Sequence, residues 1–163
     1  MENGTSLAEC LVALVILSIA AAAATPAVDS WVTQSRLNTA TQQLRQDLAY
    51  ARHLAVMRQQ PIGIQPLTIN CWGCGWRVTT NPATPDMRVL TQRAAAAEPL
   101  RILSSSTWRA GATFMPDGAA VQNGGAFAAG SFSVCAADSD YYFKVIVSKS
   151  GRARITRETA RCL

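Results

Sequence analysis

An apolar segment near the start of the chain, from Cys10 to Val28, carries no charged residue. About twenty apolar residues are enough for a helix to cross a bilayer, and this segment nearly reaches that length. A secretory signal peptide would instead have a basic region, a shorter apolar core and a cleavage site after the core. The charges that precede the segment, Glu2 and Glu9, are both acidic. The segment is therefore predicted to be a retained transmembrane helix, with any processing on its N-terminal side.

A helical pattern continues beyond the apolar segment. Small and apolar residues recur at three- and four-residue steps, which is typical of an amphipathic helix; they are Leu37, Ala40, Thr41, Leu44, Leu48, Ala51 and Ala55. Charged residues, among them Asp47 and Arg52, are expected off this apolar face. Pro61 ends the pattern, because proline disrupts a helix interior. The sequence predicts one helix from about Ser6 to Arg58, with a transmembrane half at 5–28 and an amphipathic half at 29–58.

The rest of the chain, 59–163, is predicted to form one β-rich globular domain, because its length is enough for a single core. Short apolar stretches alternate there with Gly, Pro, Asn and Asp, which mark turns. The predicted strands are Ile62–Ile64, Trp76–Thr79, Met87–Leu90, Leu100–Leu103, Ser131–Cys135, Tyr142–Ser148 and Arg152–Arg157, with a further strand that runs from Thr113 into a turn at Gly118. A tight turn is predicted at Ser150-Gly151, and Gln92–Glu98 is predicted to be a loop or a helical turn.

The cysteines indicate an oxidising compartment. Cys10 lies in the apolar segment and is expected to act as a small hydrophobe. The other four, an even set, suggest disulfides, and they allow three connectivities that sequence cannot separate; they are Cys71, Cys74, Cys135 and Cys162. We favour Cys71–Cys74 and Cys135–Cys162, since the second bond would hold the basic tail against its neighbouring strand. A zinc site built on the CxxC pair and a redox-active CxxC are the alternatives.

The sequence offers little support for catalysis. Its one histidine, His53, falls on the predicted helix. No serine lies in a nucleophile-elbow pattern, and no glycine-rich phosphate loop is present. Asp138 and Asp140 flank a turn, where capping or solvation is the expected role. We therefore expect a protein that is not an enzyme and that needs no cofactor or metal.

Basic residues are concentrated near the C-terminus. The candidate ligand-binding cations are Lys144, Lys149, Arg152, Arg154 and Arg157. If Arg152–Arg157 is a strand, Arg152 and Arg154 project from the same face, and Lys149 can join them across the Gly151 turn. Such a cluster can bind several backbone phosphates without sequence preference. The alternatives are a solvated charged face and ion pairs with a neighbouring subunit.

Gly4 and Glu9, with Pro26 farther along the helix, resemble the N-terminus of type IV pilins and pseudopilins. The resemblance implies that prepilin peptidase cuts between Gly4 and Thr5, removing a leader at 1–4, and that Thr5 is methylated. It implies that Glu9 meets the terminal amine of a neighbouring subunit during assembly. It also implies a single-pass inner-membrane protein with a periplasmic C-terminal domain, which joins major and minor pilins in a pilus at the cell surface.

An ordered set of motifs is similar to the GspH/FimT branch of minor pilins and pseudopilins. The motifs follow the long helix and are Gly75-Trp76, Phe114-x-Pro116-Asp117-Gly118, a strand ending in Cys135, and Ser150-Gly151-Arg152-Ala153-Arg154. The resemblance implies an α+β type IV pilin fold, in which the long N-terminal helix packs on antiparallel β-sheets.

The last of these motifs resembles the GRxR motif of FimT-like pilins, which are implicated in DNA capture during natural transformation (competence). On that resemblance Lys149, Arg152 and Arg154 grip the backbone of double-stranded DNA, with Lys144 and Arg157 in support. Two alternatives remain: a structural minor pilin that primes or caps the filament, and a GspH-type pseudopilin of a type II secretion system.

Overall fold

The structure is a computed structural model that describes residues 7–80, 82, 84–96, 98–122, 125–137 and 139–160, without the side chains of 20–28. Its backbone begins with one helix, α1, at Leu7–Arg58. The chain divides into two compact units, 1–35 and 36–163. In the first unit the side chains from Leu7 to Ile19 are exposed. The predicted cleavage site, Gly4 and Thr5, lies outside the described residues.

Among the described residues, no helix is both long enough and apolar enough to cross a membrane.

The second unit is built from α1 and short strands. The strands are β1 Ile62–Thr68, β2 Cys71–Thr80, β3 Arg88–Arg93, β4 Leu100–Ser104, β5 Ala112–Phe114, β6 Ala120–Val121, β7 Gly130–Ala136, β8 Tyr142–Val147 and β9 Ala153–Glu158, with a 3₁₀ turn at Ser106–Trp108 between β4 and β5. The predicted strands are present, with shifted ends. The prediction for Gln92–Glu98 is wrong in its first part, because Gln92 and Arg93 belong to β3, where they pair with β2.

The strands form two antiparallel sheets. The five-stranded sheet has the order β3-β2-β1-β5-β6, and the four-stranded sheet has the order β4-β7-β8-β9. An aromatic cluster joins them: the Trp72 ring lies 4.6 Å from Phe132 in a T-shaped contact, and Trp108 contacts Phe132 and Phe114 in the same manner. The predicted α+β architecture, a helix with antiparallel sheets, is confirmed.

The C-terminal half of α1 contributes its apolar stripe to the core. Leu37, Leu44, Leu48 and Ala51 are fully buried. Each buried leucine contributes about 1.5–3 kcal/mol relative to an exposed one, so this stripe is a large part of the stability of the unit. Thr41 is tolerated on the stripe because its hydroxyl donates to the Leu37 carbonyl oxygen at 2.7 Å.

Candidate nucleic-acid interface

The hairpin between β8 and β9 contains the tight turn predicted from the sequence. The Ser148 N–H donates to the Arg152 carbonyl oxygen at 3.0 Å, which leaves residues 149–151 as a short loop. Gly151 ends this loop with a φ of 74°. Three-residue hairpin loops commonly end in a left-handed residue, and glycine adopts that conformation without steric cost. Strand β9 begins at Ala153, so the predicted strand start at Arg152 is wrong; the residue closes the hairpin instead.

The side chain of Arg52, on helix α1, holds this loop in place by hydrogen bonds to backbone carbonyl oxygens. Its Nε donates to the Ser150 carbonyl oxygen at 3.1 Å and to the Gly118 carbonyl oxygen at 3.2 Å. The Ala120 N–H also donates to the Lys149 carbonyl oxygen at 2.9 Å. One guanidinium therefore holds together two turns that are far apart in sequence, the β5–β6 turn and the β8–β9 loop.

Two glycines make this arrangement possible. Gly118 and Gly151 both have positive φ, and a Cβ at Gly151 would overlap the Gly118 carbonyl oxygen. A Cβ at Gly118 would lie 3.0 Å from the nearest Arg52 nitrogen. Sequence reasoning treated Arg52 only as a charge off the apolar face. Its i+4 spacing from Leu48 was the available signal that the side chain borders the core.

Four of the five predicted cations lie on or beside one surface. Lys144 and Arg154 occupy strand positions that alternate with the fully buried Val145 and Val147, so they project from the outer face of the four-stranded sheet. Arg152 lies two residues before Arg154, and both are exposed. Lys149, also exposed, lies in the loop between them and β8.

Arg157 is placed differently. It pairs with Phe143, on the alternate set of positions from Lys144 and Arg154. Its guanidinium carbon lies 3.9 Å from the centroid of the Tyr141 ring, and that ring makes a T-shaped contact with Phe143 at 5.7 Å. A cation–π contact of this kind holds the guanidinium in place. The structure therefore separates Arg157 from the other predicted cations, and Tyr141 is a packing residue.

The favoured disulfide Cys71–Cys74 is present. Cys135 is disulfide-bonded as well; its predicted partner, Cys162, lies outside the described residues, and that pairing stays a prediction. The sulfurs of Cys71 and Cys74 are joined to each other, which leaves neither as a thiolate ligand for the zinc alternative. Cys10 is free and exposed.

The disulfide closes an irregular segment of β2. The pairing register between β1 and β2 shifts at Leu67: Pro66 pairs with Trp76, whereas Thr68 pairs with Cys71. From this segment Trp72 reaches into the core, where its Nε1 donates to the Trp108 carbonyl oxygen at 3.0 Å. The Cys71–Cys74 disulfide therefore stabilises the segment of β2 from which Trp72 contacts the other sheet.

Removing this disulfide in the Cys71→Ser, Cys74→Ser variant is expected to lower the free energy of unfolding by about 2 kcal/mol. This is the conformational entropy, as a free energy, that a cross-link closing so short a loop removes from the unfolded chain. Thermal denaturation of the full chain in non-ionic detergent measures the change. Cys10→Ser is the matched control, because that thiol is free and exposed. Equal midpoints for the double variant and the control would contradict the expectation.

A buried polar cluster, absent from the sequence analysis, joins α1 to the five-stranded sheet. Asp47 is only 4% exposed and accepts from Trp76 Nε1 at 2.9 Å. Arg93 donates to both of its carboxylate oxygens, at 2.9 and 3.2 Å. This hydrogen bonding, with the charge of Asp47, raises the pKa of Arg93 above its ordinary value, so the arginine stays charged at any working pH. Asp47 was expected off the apolar face and is instead part of it.

The remaining candidate residues take no part in the loop. Glu9 lies exposed in the first turn of α1, and His53 is exposed on the same helix. Asp138 lies outside the described residues. Among the described residues no cluster of His, Cys, Asp and Glu could hold a metal ion.

Residues 40–151 match the family model described as type II transport protein GspH. The chain belongs to the GspH family. The match extends from the buried part of α1 to Gly151 and stops before Arg152 and Arg154. Membership therefore accounts for the scaffold and the loop glycine, whereas the exposed Arg152 and Arg154 lie beyond the matched segment.

Solved structures of two proteins share the GspH-family fold seen here. The type IV minor pilin FimU of Pseudomonas aeruginosa is 25% identical, with a TM-score of 0.65, over 78% of this chain and 92% of that one. The minor pseudopilin EpsH of the Vibrio cholerae type 2 secretion system has a TM-score of 0.58 at 14% identity, over 74% of this chain and 96% of that one. No curated protein matches the chain. The fold is thus that of minor pilins and pseudopilins.

Proposed function

We propose that this GspH-family chain is a minor type IV pilin, closest to the FimT type, that binds double-stranded DNA for uptake in natural transformation. The observation that carries the proposal is the anchored β8–β9 loop with Arg152 and Arg154 exposed beside it. Within the part of the chain that the structure describes, no carboxylate lies within ion-pair distance of Arg152 or Arg154.

The chemistry of the site suits a phosphate backbone. Duplex DNA carries one negative charge per about 1.7 Å of its axis, and arginines bind phosphate oxygens through a planar fork. Lys149 adds a third cation at the loop, and Lys144 supports them from β8. The Arg52 side chain fixes the loop by donating to its Ser150 carbonyl oxygen, which lowers the ordering cost of binding. No sequence preference is expected, because phosphate contacts position a protein without reading bases.

The proposal includes the biogenesis of a pilin. Prepilin peptidase would remove residues 1–4 by cleavage between Gly4 and Thr5, with methylation of Thr5. Residues 5–28 would anchor the chain in the inner membrane, with 59–163 in the periplasm. Assembly with major and minor pilins would then use Glu9, which lies exposed in the first turn of α1, and would carry the domain to the cell surface.

A second candidate is a pseudopilin of a type II secretion system. It is favoured by the description of the matching family, type II transport protein GspH, and by the shared fold of EpsH. In this role, as in that of a structural minor pilin that primes or caps the filament, Arg152 and Arg154 would contact neighbouring subunits. Neither role requires affinity for DNA.

Fluorescence anisotropy with a labelled duplex tests the DNA-binding function on the full chain in non-ionic detergent. The Arg152→Gln, Arg154→Gln variant is expected to lose most of the binding and to reduce the slope of log K against log salt by about 1.8, which corresponds to two phosphate contacts. Circular dichroism verifies that the variant is folded.

Arg58→Gln, Arg88→Gln is the matched control. Both arginines are exposed and line a single groove that contains no residue of the loop, and the double substitution removes the same two positive charges. An equal loss of binding in the control would show that only net charge matters. Wild-type protein that does not bind DNA would overturn the proposed function and favour the structural or secretion role.

A further inference from the structure

The outer face of the four-stranded sheet extends the basic surface beyond the loop. Strand register places one set of side chains on this face; it comprises Arg101, Leu103, Ser131, Ser133, Cys135, Tyr142, Lys144, Ile146, Arg154, Thr156 and Glu158. The alternate positions hold buried residues such as Ile102, Phe132 and Val145. Arg101, on β4, was not among the cations considered from the sequence, yet it is exposed on the same face as Lys144 and Arg154.

Register also gives the spacing of these cations. Leu103, Ser133 and Lys144 lie side by side across β4, β7 and β8. Arg101 lies two residues to one side of that line, and Arg154 lies two residues to the other side on β9. With strands about 4.8 Å apart and a rise of about 3.4 Å per residue, Arg101 and Arg154 are about 20 Å apart, with Lys144 between them. The cations therefore form a diagonal row, which Arg152 continues.

The rest of the face gives this diagonal a direction. Ser131 and Ser133, in the centre of the sheet, are short side chains. Cys135, which pairs with Arg101 on this face, is disulfide-bonded and only 2% exposed, so a ligand on the row lies above that covered position. Glu158, the one carboxylate of β9, pairs with Tyr142 at the opposite end of the strand from Arg154. It also accepts from the Thr156 hydroxyl at 3.4 Å. An anionic rod is thus attracted along the diagonal and repelled from the Glu158 corner.

We propose that Arg101, Lys144, Arg154 and Arg152 form one phosphate-binding row, so that a DNA duplex lies diagonally across the outer face of the four-stranded sheet. The proposal rests on the proposed function and extends its site from the loop to β4. The row spans about 25 Å, the length of about seven base pairs at 3.4 Å each. A duplex of that length meets cations at its start, centre and end, whereas the loop alone would contact only one end. Arg157, held against Tyr141 on the other face, has no part in the row.

Single substitutions in the full chain, in non-ionic detergent with a labelled 20-base-pair duplex, test the row. Arg101→Gln is expected to weaken binding several-fold and to reduce the salt slope by about 0.9, as one lost phosphate contact requires. Arg101→Lys should restore most of that slope. Arg88→Gln, an exposed arginine on a strand of the other sheet, is the matched control and should leave the slope unchanged, as should Arg157→Gln.

The outcomes separate the two proposals. Suppose that Arg101→Gln keeps the wild-type affinity and salt slope while the Arg152→Gln, Arg154→Gln variant loses binding. That result would overturn the row and leave the loop as the whole site. An equal effect of Arg101→Gln and Arg88→Gln would also overturn it, because only net charge would then matter. Unchanged binding in the double variant would overturn the proposed function itself. Absence of wild-type binding would overturn both.

Discussion

Gly151→Ala is expected to lower the free energy of unfolding by about 3 kcal/mol and to abolish DNA binding. Part of the cost, about 1–2 kcal/mol, comes from placing a Cβ on a left-handed residue. The rest comes from overlap of that Cβ with the Gly118 carbonyl oxygen, which forces the loop away from Arg52. Thermal denaturation and duplex anisotropy on the full chain in non-ionic detergent measure the two effects.

Gly125→Ala is the matched control for this substitution. Gly125 has a φ of 81°, close to the 74° of Gly151, but a Cβ there would meet no atom within 4 Å. The control should lose about 1–2 kcal/mol, the backbone cost alone, and should bind DNA normally. If the two variants were equally stable and bound DNA equally, the contact between the two turns would have no role in holding the loop.

Asp47→Ala is expected to lower the free energy of unfolding by about 3 kcal/mol. The substitution leaves the buried Trp76 indole N–H without its acceptor, a cost of about 1–3 kcal/mol. It also removes the two hydrogen bonds that Arg93 donates to Asp47. Losing them adds little to the free-energy cost, because the Arg93 side chain is 43% exposed and can be solvated. Denaturant unfolding of the full chain in non-ionic detergent, monitored by tryptophan fluorescence, provides the measurement.

Trp76→Phe separates the contributions within this cluster. It keeps an aromatic ring in the core and keeps the ion pair, but it removes the donor to Asp47 and part of the buried indole ring, so a smaller loss of about 2 kcal/mol is expected. If Asp47→Ala were as stable as the wild type, the carboxylate would not join the helix to the sheet. A loss in Trp76→Phe larger than that in Asp47→Ala would assign the stability to the indole packing instead.

Local patterns were sufficient to predict the helix, most strands and the turn at Gly151. The three- and four-residue spacing around Leu44 and Leu48 reports burial of one helix face directly, because that periodicity is a property of neighbouring residues. Strand ends were less accurate. Arg152 closes the hairpin through a backbone hydrogen bond, and Gln92 joins β3 because β2 pairs with it. Both outcomes depend on a partner strand and not on the residue itself.

Only part of the candidate site could be predicted from the sequence. Its exposed cations were found because they are close together in the chain near Gly151. Arg52 and Arg101 were missed because their relation to that loop is set by the tertiary fold: Arg52 bonds to a carbonyl 98 residues away. Arg101 reaches the same face only through the register of β4, β7 and β8. Arg157 was included because alternation was not applied beyond Arg154.

The contact of Arg52 with the β8–β9 loop has a mechanical consequence. Helix α1 and the loop are joined by a side chain that donates to Ser150 and Gly118 together, without an intervening strand. A pull on the helix therefore loads the loop through these hydrogen bonds, and a pull on a ligand held by Arg152 loads the helix along the same route. If the proposed function holds, tension on a bound duplex reaches the helix through this contact as well as through the four-stranded sheet.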